Sequence, residues 1–273
     1  MQGLADIWAF QGITPFQFNL MIPASLDSRH SHPYLKSEME RLKDFLESHF
    51  GRITPENLKA AIHLFNRIRK NLAEIYRRRK TGLAQLSSDH FAKVLRGGYW
   101  MDRDRYLKIL EDLLEVLPQR TPEGKEPVPL YLLGNMVHSP FYFSLIEEAG
   151  ATIVQDDLCS GARFLRLMVP EDADPIDGLT RRYLTSFLCP SKHKAPHAPI
   201  ESRLKDVQES GAKGVIFLLY KYCETFFFDY PDLKRALESK GIPSLLLEVE
   251  DPSTSTGQLK TRIQAFVEML TSI

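Results

Sequence analysis

The feature that most constrains this chain is an unbroken apolar run from Val215 to Tyr220, followed closely by Cys223. Because the run shows no alternation of apolar and polar residues, it predicts a parallel β-strand with both faces covered. Open α/β sheets place their ligands beyond the carboxyl ends of such strands. A second apolar segment, residues 151–155, leads in the same way into Cys159. The sequence therefore predicts two thiols at one edge of a parallel sheet.

Strand and helix patterns alternate throughout residues 130–273 and predict an α/β domain. Four strands are expected, and helices with apolar faces separate them. This order is typical of a doubly wound, Rossmann-like parallel sheet with right-handed crossovers. The predicted strands are residues 130–133, 151–155, 215–220 and 244–249. Within this domain, Pro231 is expected to open the helix that precedes the last strand.

The first half of the chain has a different organisation. Residues 31–118 carry apolar side chains at helical spacing and predict a helical region, and Gly97-Gly98 is expected to end its third helix. Residues 119–129 are rich in proline and charge and are expected to be a linker. Residues 1–30 are expected to be irregular, because their apolar residues have no clear period. They resemble the end of a unit that packs on further structure.

The charge balance, the length of the apolar runs and the cysteine content limit the functions that the chain can have. The chain has 35 basic and 35 acidic residues, so bulk electrostatics does not favour nucleic acid. No apolar run approaches the roughly 20 residues that cross a bilayer, and no signal peptide is recognisable. Three cysteines in such a chain indicate free thiols in a reducing, cytoplasmic compartment. They are either buried small hydrophobes or soft metal ligands, and without a CxxC motif their spacing alone favours neither.

Several separated segments resemble one family, the 2-hydroxyacyl-CoA dehydratase D-component and benzoyl-CoA reductase subunits. They are DDLCSGARF, FLCP, GVIFLLYKYCE, YPDLKRALESKGIPSLLLEVE and GQLKTRIQAFVEML, preceded by SLDSRHSHPYLKSEMERLKDFLE and GRITPENLKAAIHLFNRIRKNLAEIYRRRK. The resemblance covers nearly the whole chain from about Phe18. It implies a heterodimer subunit with a [4Fe-4S] cluster. A separate ATP-dependent activator protein would deliver one electron, for ketyl-radical dehydration or ring reduction of an acyl-CoA substrate.

The resemblance also implies roles for individual residues. Cys159 and Cys223 match cluster cysteines, and Cys189, in a Cys-Pro pair, is a further candidate ligand. Arg163 is expected either to bind a phosphate of CoA or to pair with Asp156. Gln258 and Lys260, in the first turn of the last helix, are expected to face the cluster or an anion.

Family members carry a further α/β domain before the helices, which supplies a cluster cysteine and much of the substrate pocket. We expect residues 1–30 to be a remnant of that domain, so that the chain is a fragment or a truncated paralogue. The alternative function is therefore a catalytically inactive scaffold that binds a full-length subunit.

Overall fold

The structure is a computed structural model. It describes residues 2–81, 86–117, 126–137, 139–186, 189–192, 198–250 and 256–272. The helices are α1 (Gln2–Gln11), α2 (Ser31–Phe50), α3 (Pro55–Lys80), α4 (Ser88–Trp100), α5 (Arg103–Val116), α6 (Phe141–Glu148), α7 (Pro175–Ser186), α8 (Ala198–Ser210), α9 (Glu224–Glu238) and α10 (Thr256–Thr271). The strands are β1 (Val128–Gly134), β2 (Ala151–Asp157), β3 (Gly214–Tyr220) and β4 (Ser244–Val249), and a 3₁₀ helix spans Ala162–Leu165.

The four strands form one all-parallel sheet in the order β2-β1-β3-β4. This confirms the predicted α/β fold class. The chain leaves β1 toward β2 on one side and later returns to β3 on the other, so the winding direction changes beside β1. In open α/β sheets, such a change marks the crevice where ligands bind. It lies at the carboxyl ends of β1 and β3.

Helices cover both faces of the sheet, which explains why β3 is apolar throughout. Ile216 and Leu218 pack on one face with side chains from α6 and α10. Val215, Phe217 and Leu219 pack on the opposite face with side chains from α8 and α9. Alternate residues of one strand thus enter different helical layers, as expected for a strand buried on both sides.

The helices α3, α4 and α5 form a separate apolar cluster beside the sheet. Ile75, Phe91 and Leu110 are fully buried there, and Ala162 of the 3₁₀ helix joins the same cluster. The long helix α3 begins where the sequence predicts, because the Thr54 hydroxyl accepts a hydrogen bond from the Asn57 N–H at 3.2 Å. Through this cluster, the helical region contacts the loop that carries Cys159.

Two helix boundaries differ from the sequence prediction. Helix α4 continues through Gly97-Gly98 to Trp100, because the ring of Tyr106 packs against these glycines. A Cβ atom on Gly98 would lie 3.1 Å from that ring, so glycine there serves close packing rather than a helix end. Helix α9 begins at Glu224, seven residues before the predicted start, and contains Pro231 in its interior.

Three further differences concern chain segments. The expected irregular start contains α1, whose Phe10 is 94% exposed. Strand β1 begins at Val128, inside the predicted linker, because Val128 pairs with Ala151. Strand β2 continues to Asp157, since the neighbouring β1 extends far enough to pair with it. Residues 119–125 of the predicted linker lie outside the described residues. None of the described helices has the length and apolarity needed to cross a bilayer.

Candidate metal centre

The two thiols expected at one edge of the sheet lie beyond the ends of two parallel strands. Cys159 is the second residue after β2, and Cys223 lies three residues after β3. Strand β1 runs between β2 and β3, so the two cysteine-bearing strands are not neighbours. Both cysteines are partly exposed and unbridged, as is Cys189, which lies between α7 and α8.

The Cys159 sulfur has a charged hydrogen-bond donor. The Arg163 Nη1 group donates to Cys159 Sγ at 2.9 Å, over one turn of chain. Gly161 shapes this turn, because a Cβ atom at that position would collide with the Asp156 carboxylate. A guanidinium beside sulfur favours the thiolate, the form in which cysteine binds metals.

Arg163 is itself held by Asp157. Its Nε and Nη2 groups donate to the two carboxylate oxygens of Asp157 at 3.0 Å each, a bidentate pair. Its Nη2 also donates to the backbone carbonyls of Asp157 at 2.7 Å and Gly134 at 3.2 Å. The expected pairing of Arg163 with Asp156 is therefore wrong. Successive strand residues point to opposite faces, so Asp157 faces Arg163 and Asp156 does not.

A second buried arginine completes this ion network. Arg203 of α8 donates from Nε to Asp157 at 2.9 Å and from Nη1 to Asp229 of α9 at 3.2 Å. The guanidinium groups of Arg163 and Arg203 also lie 5.9 and 5.4 Å from the ring centroid of Phe226. Since α9 follows Cys223 directly, the network connects the surroundings of both cysteine-bearing loops.

Burial and charge shift the pKa values in this network. Burial alone would raise the pKa of Asp157, but Arg163 and Arg203 lower it well below its ordinary value. Burial also raises the pKa of the Cys159 thiol, against the opposing effect of Arg163. The thiols of Cys189 and Cys223 raise it further. The Cys159 thiol thus interacts electrostatically with each of the other two thiols.

Asp156 has a separate role beneath the Cys159 loop. It accepts hydrogen bonds from the Tyr76 hydroxyl and from the backbone N–H groups of Leu158 at 3.1 Å and Ala162 at 2.8 Å. Burial raises its pKa, and the hydrogen bonds counteract that effect. Asp156 thus ties the loop to α3 and contacts neither the Cys159 sulfur nor Arg163 within the described residues.

The Cys223 loop is more exposed. Tyr222, just before the cysteine, is 88% exposed and has a φ of 71°, a left-handed conformation that residues with a side chain rarely adopt. Cys223 N–H donates to the Tyr220 carbonyl at 3.3 Å, and the Cys223 carbonyl accepts from Phe226 N–H at 3.0 Å. Its sulfur lies 4.0 Å from the Thr225 hydroxyl oxygen.

Asn135 follows β1 and contacts both cysteine loops, yet no pattern in the sequence drew attention to it. Its Nδ2 donates to the Tyr220 carbonyl at 3.2 Å, and its Oδ1 accepts from Tyr220 N–H at 3.1 Å. Its backbone carbonyl accepts from Cys159 N–H at 3.3 Å. The position of Asn135 in the sequence could have indicated its role, because a polar residue directly after a buried parallel strand lies at the ligand-binding edge of the sheet.

The other predicted site residues lie outside the loops that carry Cys159 and Cys223. Cys189 Sγ lies 3.1 Å from the Ser191 hydroxyl oxygen. The pKa of the Tyr183 hydroxyl is raised to about 12, mainly by burial and in part by the nearby charge of Cys189. Lys260 pairs with Glu148 at 2.8 Å, and Gln258 is exposed on the first turn of α10. His138, which follows the first strand, the histidines His193 and His197 in the loop after Cys189, and residues 251–255, which follow the last strand, lie outside the described residues.

A mostly apolar cavity of about 90 Å³ adjoins the Cys159 loop. It lies between α3, α4, α5 and the loop, and Ser160 and Gly161 form part of its wall. Tyr99 lines it as well, and burial, together with the nearby charge of Cys159, raises the pKa of the Tyr99 hydroxyl.

The cysteines fit an iron–sulfur cluster in their chemistry. Thiolates are the ligands of such clusters, and a hydrogen-bond donor on a ligating sulfur is a usual feature of these sites. In the geometry of the described residues, however, no three His, Cys, Asp or Glu side chains are grouped so that they hold a metal ion. The three thiols supply the donor type, and Cys159 and Cys223 share one edge of the sheet, but the described residues form no preformed set of three ligands.

Comparison with known proteins gives a consistent result. The family model of the 2-hydroxyglutaryl-CoA dehydratase D-component matches residues 1–270. The chain is 26% identical to the (R)-phenyllactyl-CoA dehydratase beta subunit of Clostridium sporogenes, over 91% of this chain and 67% of that protein. It is 28% identical to the beta subunit of the (R)-2-hydroxyglutaryl-CoA dehydratase of Acidaminococcus fermentans, over 84% of this chain and 62% of that protein.

A third relative extends the range of named reactions. A benzoyl-CoA reductase subunit of Thauera aromatica is 22% identical over 87% of this chain and 63% of that protein. The chain thus spans roughly two thirds of the length of these relatives, and less than two thirds of the last two. Since the family model matches almost every residue, the chain belongs to the 2-hydroxyglutaryl-CoA dehydratase D-component family.

Proposed function

We propose that this chain is a subunit of an iron–sulfur enzyme that dehydrates 2-hydroxyacyl-CoA substrates or reduces an aromatic acyl-CoA. The observation that carries the proposal is the pair of thiols, Cys159 and Cys223, at the carboxyl edge of one sheet, in a member of this family. The relatives' names supply both reaction classes, dehydratase and benzoyl-CoA reductase. Residues 31–118 and 130–273 would be a helical region and the cysteine-bearing domain.

Cys159 and Cys223 would hold the cluster, with Cys189 as a third ligand and a partner chain supplying what is missing. A [4Fe-4S] cluster, when bound, supplies one-electron transfer. Arg163 would stabilise the negative charge of the Cys159 thiolate through its 2.9 Å hydrogen bond. Because burial raises the pKa of this thiol, metal binding has to displace its proton, which makes assembly of the site depend on pH.

The partners follow from the same proposal. A second, homologous subunit would complete a heterodimer, and an ATP-dependent activator protein would deliver the electron. The substrate would be an acyl-CoA, in the cytoplasm. Arg163 is buried and already makes five hydrogen bonds, so stabilising the Cys159 thiolate accounts for it better than binding a CoA phosphate does.

One observation favours a second candidate function. Because no three metal ligands are grouped among the described residues, the chain would alternatively be a cluster-free scaffold that binds a full-length subunit. The two candidates differ in whether the purified chain, alone or with such a subunit, takes up iron.

Anaerobic reconstitution with iron and sulfide tests the proposal. We expect a brown protein whose iron content falls by more than half in Cys159→Ala and in Cys223→Ala, while Ser191→Ala, beside Cys189, retains iron. Thermal melting of the metal-free variants controls for misfolding. A wild-type chain that stays colourless, alone and with a homologous subunit, would exclude the cluster and favour the scaffold. Turnover assays with 2-hydroxyacyl-CoA thioesters and benzoyl-CoA then separate the two reaction classes.

A further inference from the structure

The geometry points to Asn135 as a positioning residue that fixes the Cys159 and Cys223 loops relative to each other. Asn135 lies at the end of β1, the strand between the two cysteine-bearing strands. The inference deepens the proposed function, since a shared metal centre needs a defined separation between its ligands. The hydrogen bonds that carry it do not depend on any metal.

The side chain of Asn135 continues the strand pairing after the backbone pairing has ended. The last paired residues of β1 and β3 are Gly134 and Leu218. Beyond them, the amide group of Asn135 bonds to both the N–H and the carbonyl of Tyr220, at 3.1 and 3.2 Å. The Tyr220 carbonyl also accepts from Cys223 N–H at 3.3 Å, so Asn135 anchors the backbone from which the Cys223 loop starts.

The backbone of Asn135 reaches the other loop. Its carbonyl accepts from Cys159 N–H at 3.3 Å, and the carbonyl of the preceding Gly134 accepts from Arg163 Nη2 at 3.2 Å. One residue therefore bonds to the Tyr220 backbone through its side chain and to the Cys159 backbone through its main chain. Asn135 therefore joins the backbones of the two loops directly, in addition to the side-chain network of Asp157 and Arg203.

The chemistry of this position requires an amide. Asn135 is 5% exposed, so water does not replace a lost partner. A short side chain has to donate to one backbone group and accept from another, which an asparagine does and an ionised aspartate does not. Aspartate would keep the bond from Tyr220 N–H but would bring a negative charge against the Tyr220 carbonyl.

The chain offers a matched control in Asn66 of α3. Its amide makes the same double contact with a single residue, donating to the Val169 carbonyl at 2.8 Å and accepting from Val169 N–H at 3.0 Å. Asn66 is 2% exposed, and its hydrogen bonds to described residues reach neither cysteine loop. Removing the Asn135 amide costs two hydrogen bonds and removing the Asn66 amide costs four, but of the two amides only that of Asn135 bonds to the backbone of a cysteine loop.

Hydrogen–deuterium exchange of the metal-free protein tests the inference. In Asn135→Ala we expect exchange at least tenfold faster at Tyr220, at Cys223 and at Cys159, in peptides more than 60 residues apart. Asn135→Asp should also speed exchange at Tyr220, because its carboxylate would face the Tyr220 carbonyl. Asn66→Ala should raise exchange around its own partners Arg69, Val169 and Glu171 and at neither cysteine loop, with a drop in melting temperature at least as large. Faster exchange at Tyr220 with Cys159 unchanged, or an equal increase across the whole sheet, would overturn the inference.

A second readout uses the reconstituted protein. Asn135→Ala should lose bound iron faster than wild type and show a broadened electron paramagnetic resonance signal, whereas Asn66→Ala should match wild type. If both asparagine variants match wild type, Asn135 does not position the centre. If wild type takes up no iron, the proposed function fails, and the exchange experiment still decides the role of Asn135.

Discussion

The loops that carry Cys159 and Cys223 end at the same edge of the sheet but are built differently. Cys159 lies in a tight turn whose charges are buried and paired, with Arg163 held between the sulfur and Asp157. Cys223 caps α9, next to an exposed tyrosine in a left-handed conformation, and packs against the apolar cluster of β3, α8 and α9, while its sulfur lies 4.0 Å from the Thr225 hydroxyl. The Cys159 loop is held by its own buried ion pair, whereas the Cys223 loop is held by the backbone of β3 and by Asn135.

This difference has a physical cause. A buried carboxylate with two arginines permits few alternative arrangements, because moving any member leaves an uncompensated charge in a low-dielectric interior. An exposed helix cap has no such constraint, since water satisfies its polar groups. We therefore expect substitutions to be costly on the Cys159 side and mild on the Cys223 side.

The largest effect is expected for Asp157→Asn. This change removes the counter-charge that two buried arginines share, and should lower the free energy of unfolding by about 3–5 kcal/mol. Because the pKa of Asp157 is lowered in the folded state, the wild type keeps this advantage above about pH 4 and loses it as the pH falls further. Urea denaturation at several pH values measures both effects.

A matched substitution on the Cys223 side is Glu250→Gln. Glu250 pairs with Lys221 at 2.8 Å, with both side chains about half exposed and the charges screened by solvent, so the cost should be far smaller than that of Asp157→Asn. Equal losses in Asp157→Asn and Glu250→Gln would contradict the difference between the two loops.

Gly161→Ala should be the next most costly substitution. A methyl group there collides with the Asp156 carboxylate, which is fixed by Tyr76 and two backbone N–H groups. Overpacking of this kind typically costs about 1–3 kcal/mol, measurable by thermal denaturation. Gly257→Ala is the control, since a methyl group in the first turn of α10 meets no described atom within 4 Å. The prediction fails if the two variants melt at the same temperature.

Thiol alkylation should distinguish the cysteines by about a factor of ten. Burial raises the pKa of Cys159, and its sulfur is occupied by Arg163, so iodoacetamide should modify it about tenfold more slowly than Cys223 at about pH 7.5. Mass spectrometry of the metal-free protein after timed quenching gives each rate. In urea the two rates should converge. Fastest modification at Cys159 would mean that the Arg163 contact dominates over burial.

The smallest effect is expected at Tyr222. Glycine adopts its left-handed conformation without the steric cost that a Cβ atom carries, so Tyr222→Gly should be about 1 kcal/mol more stable than Tyr222→Ala. Because the ring is exposed, removing it should cost little in either variant. If alanine is the more stable replacement, the left-handed conformation is not a source of strain.

The sequence predicted what depends on local patterns. The apolar run of β3, its position before Cys223 and the capped start of α3 are each encoded within a few neighbouring residues, and the structure contains all three. The start of α9 was mispredicted because Pro231 is a strong local signal for a helix start, whereas Cys223 makes no side-chain capping bond.

The contacts that build the candidate site could not be predicted, because they join residues that are far apart in the sequence. Asp157 and Arg203 are 46 positions apart, and Asn135 and Tyr220 are 85 apart, so no spacing rule connects them. The partner of Arg163 was misassigned, since choosing between two adjacent aspartates requires knowing which face of β2 each occupies.

The carboxylate shared by Arg163 and Arg203 makes their contributions thermodynamically inseparable. A double-mutant cycle on the two arginines should give a large interaction energy, because removing one changes the electrostatic environment of the other through Asp157. Sequence changes on α8 or α9 would consequently alter how tolerant the Cys159 turn is to mutation, and related proteins would be expected to vary these positions together.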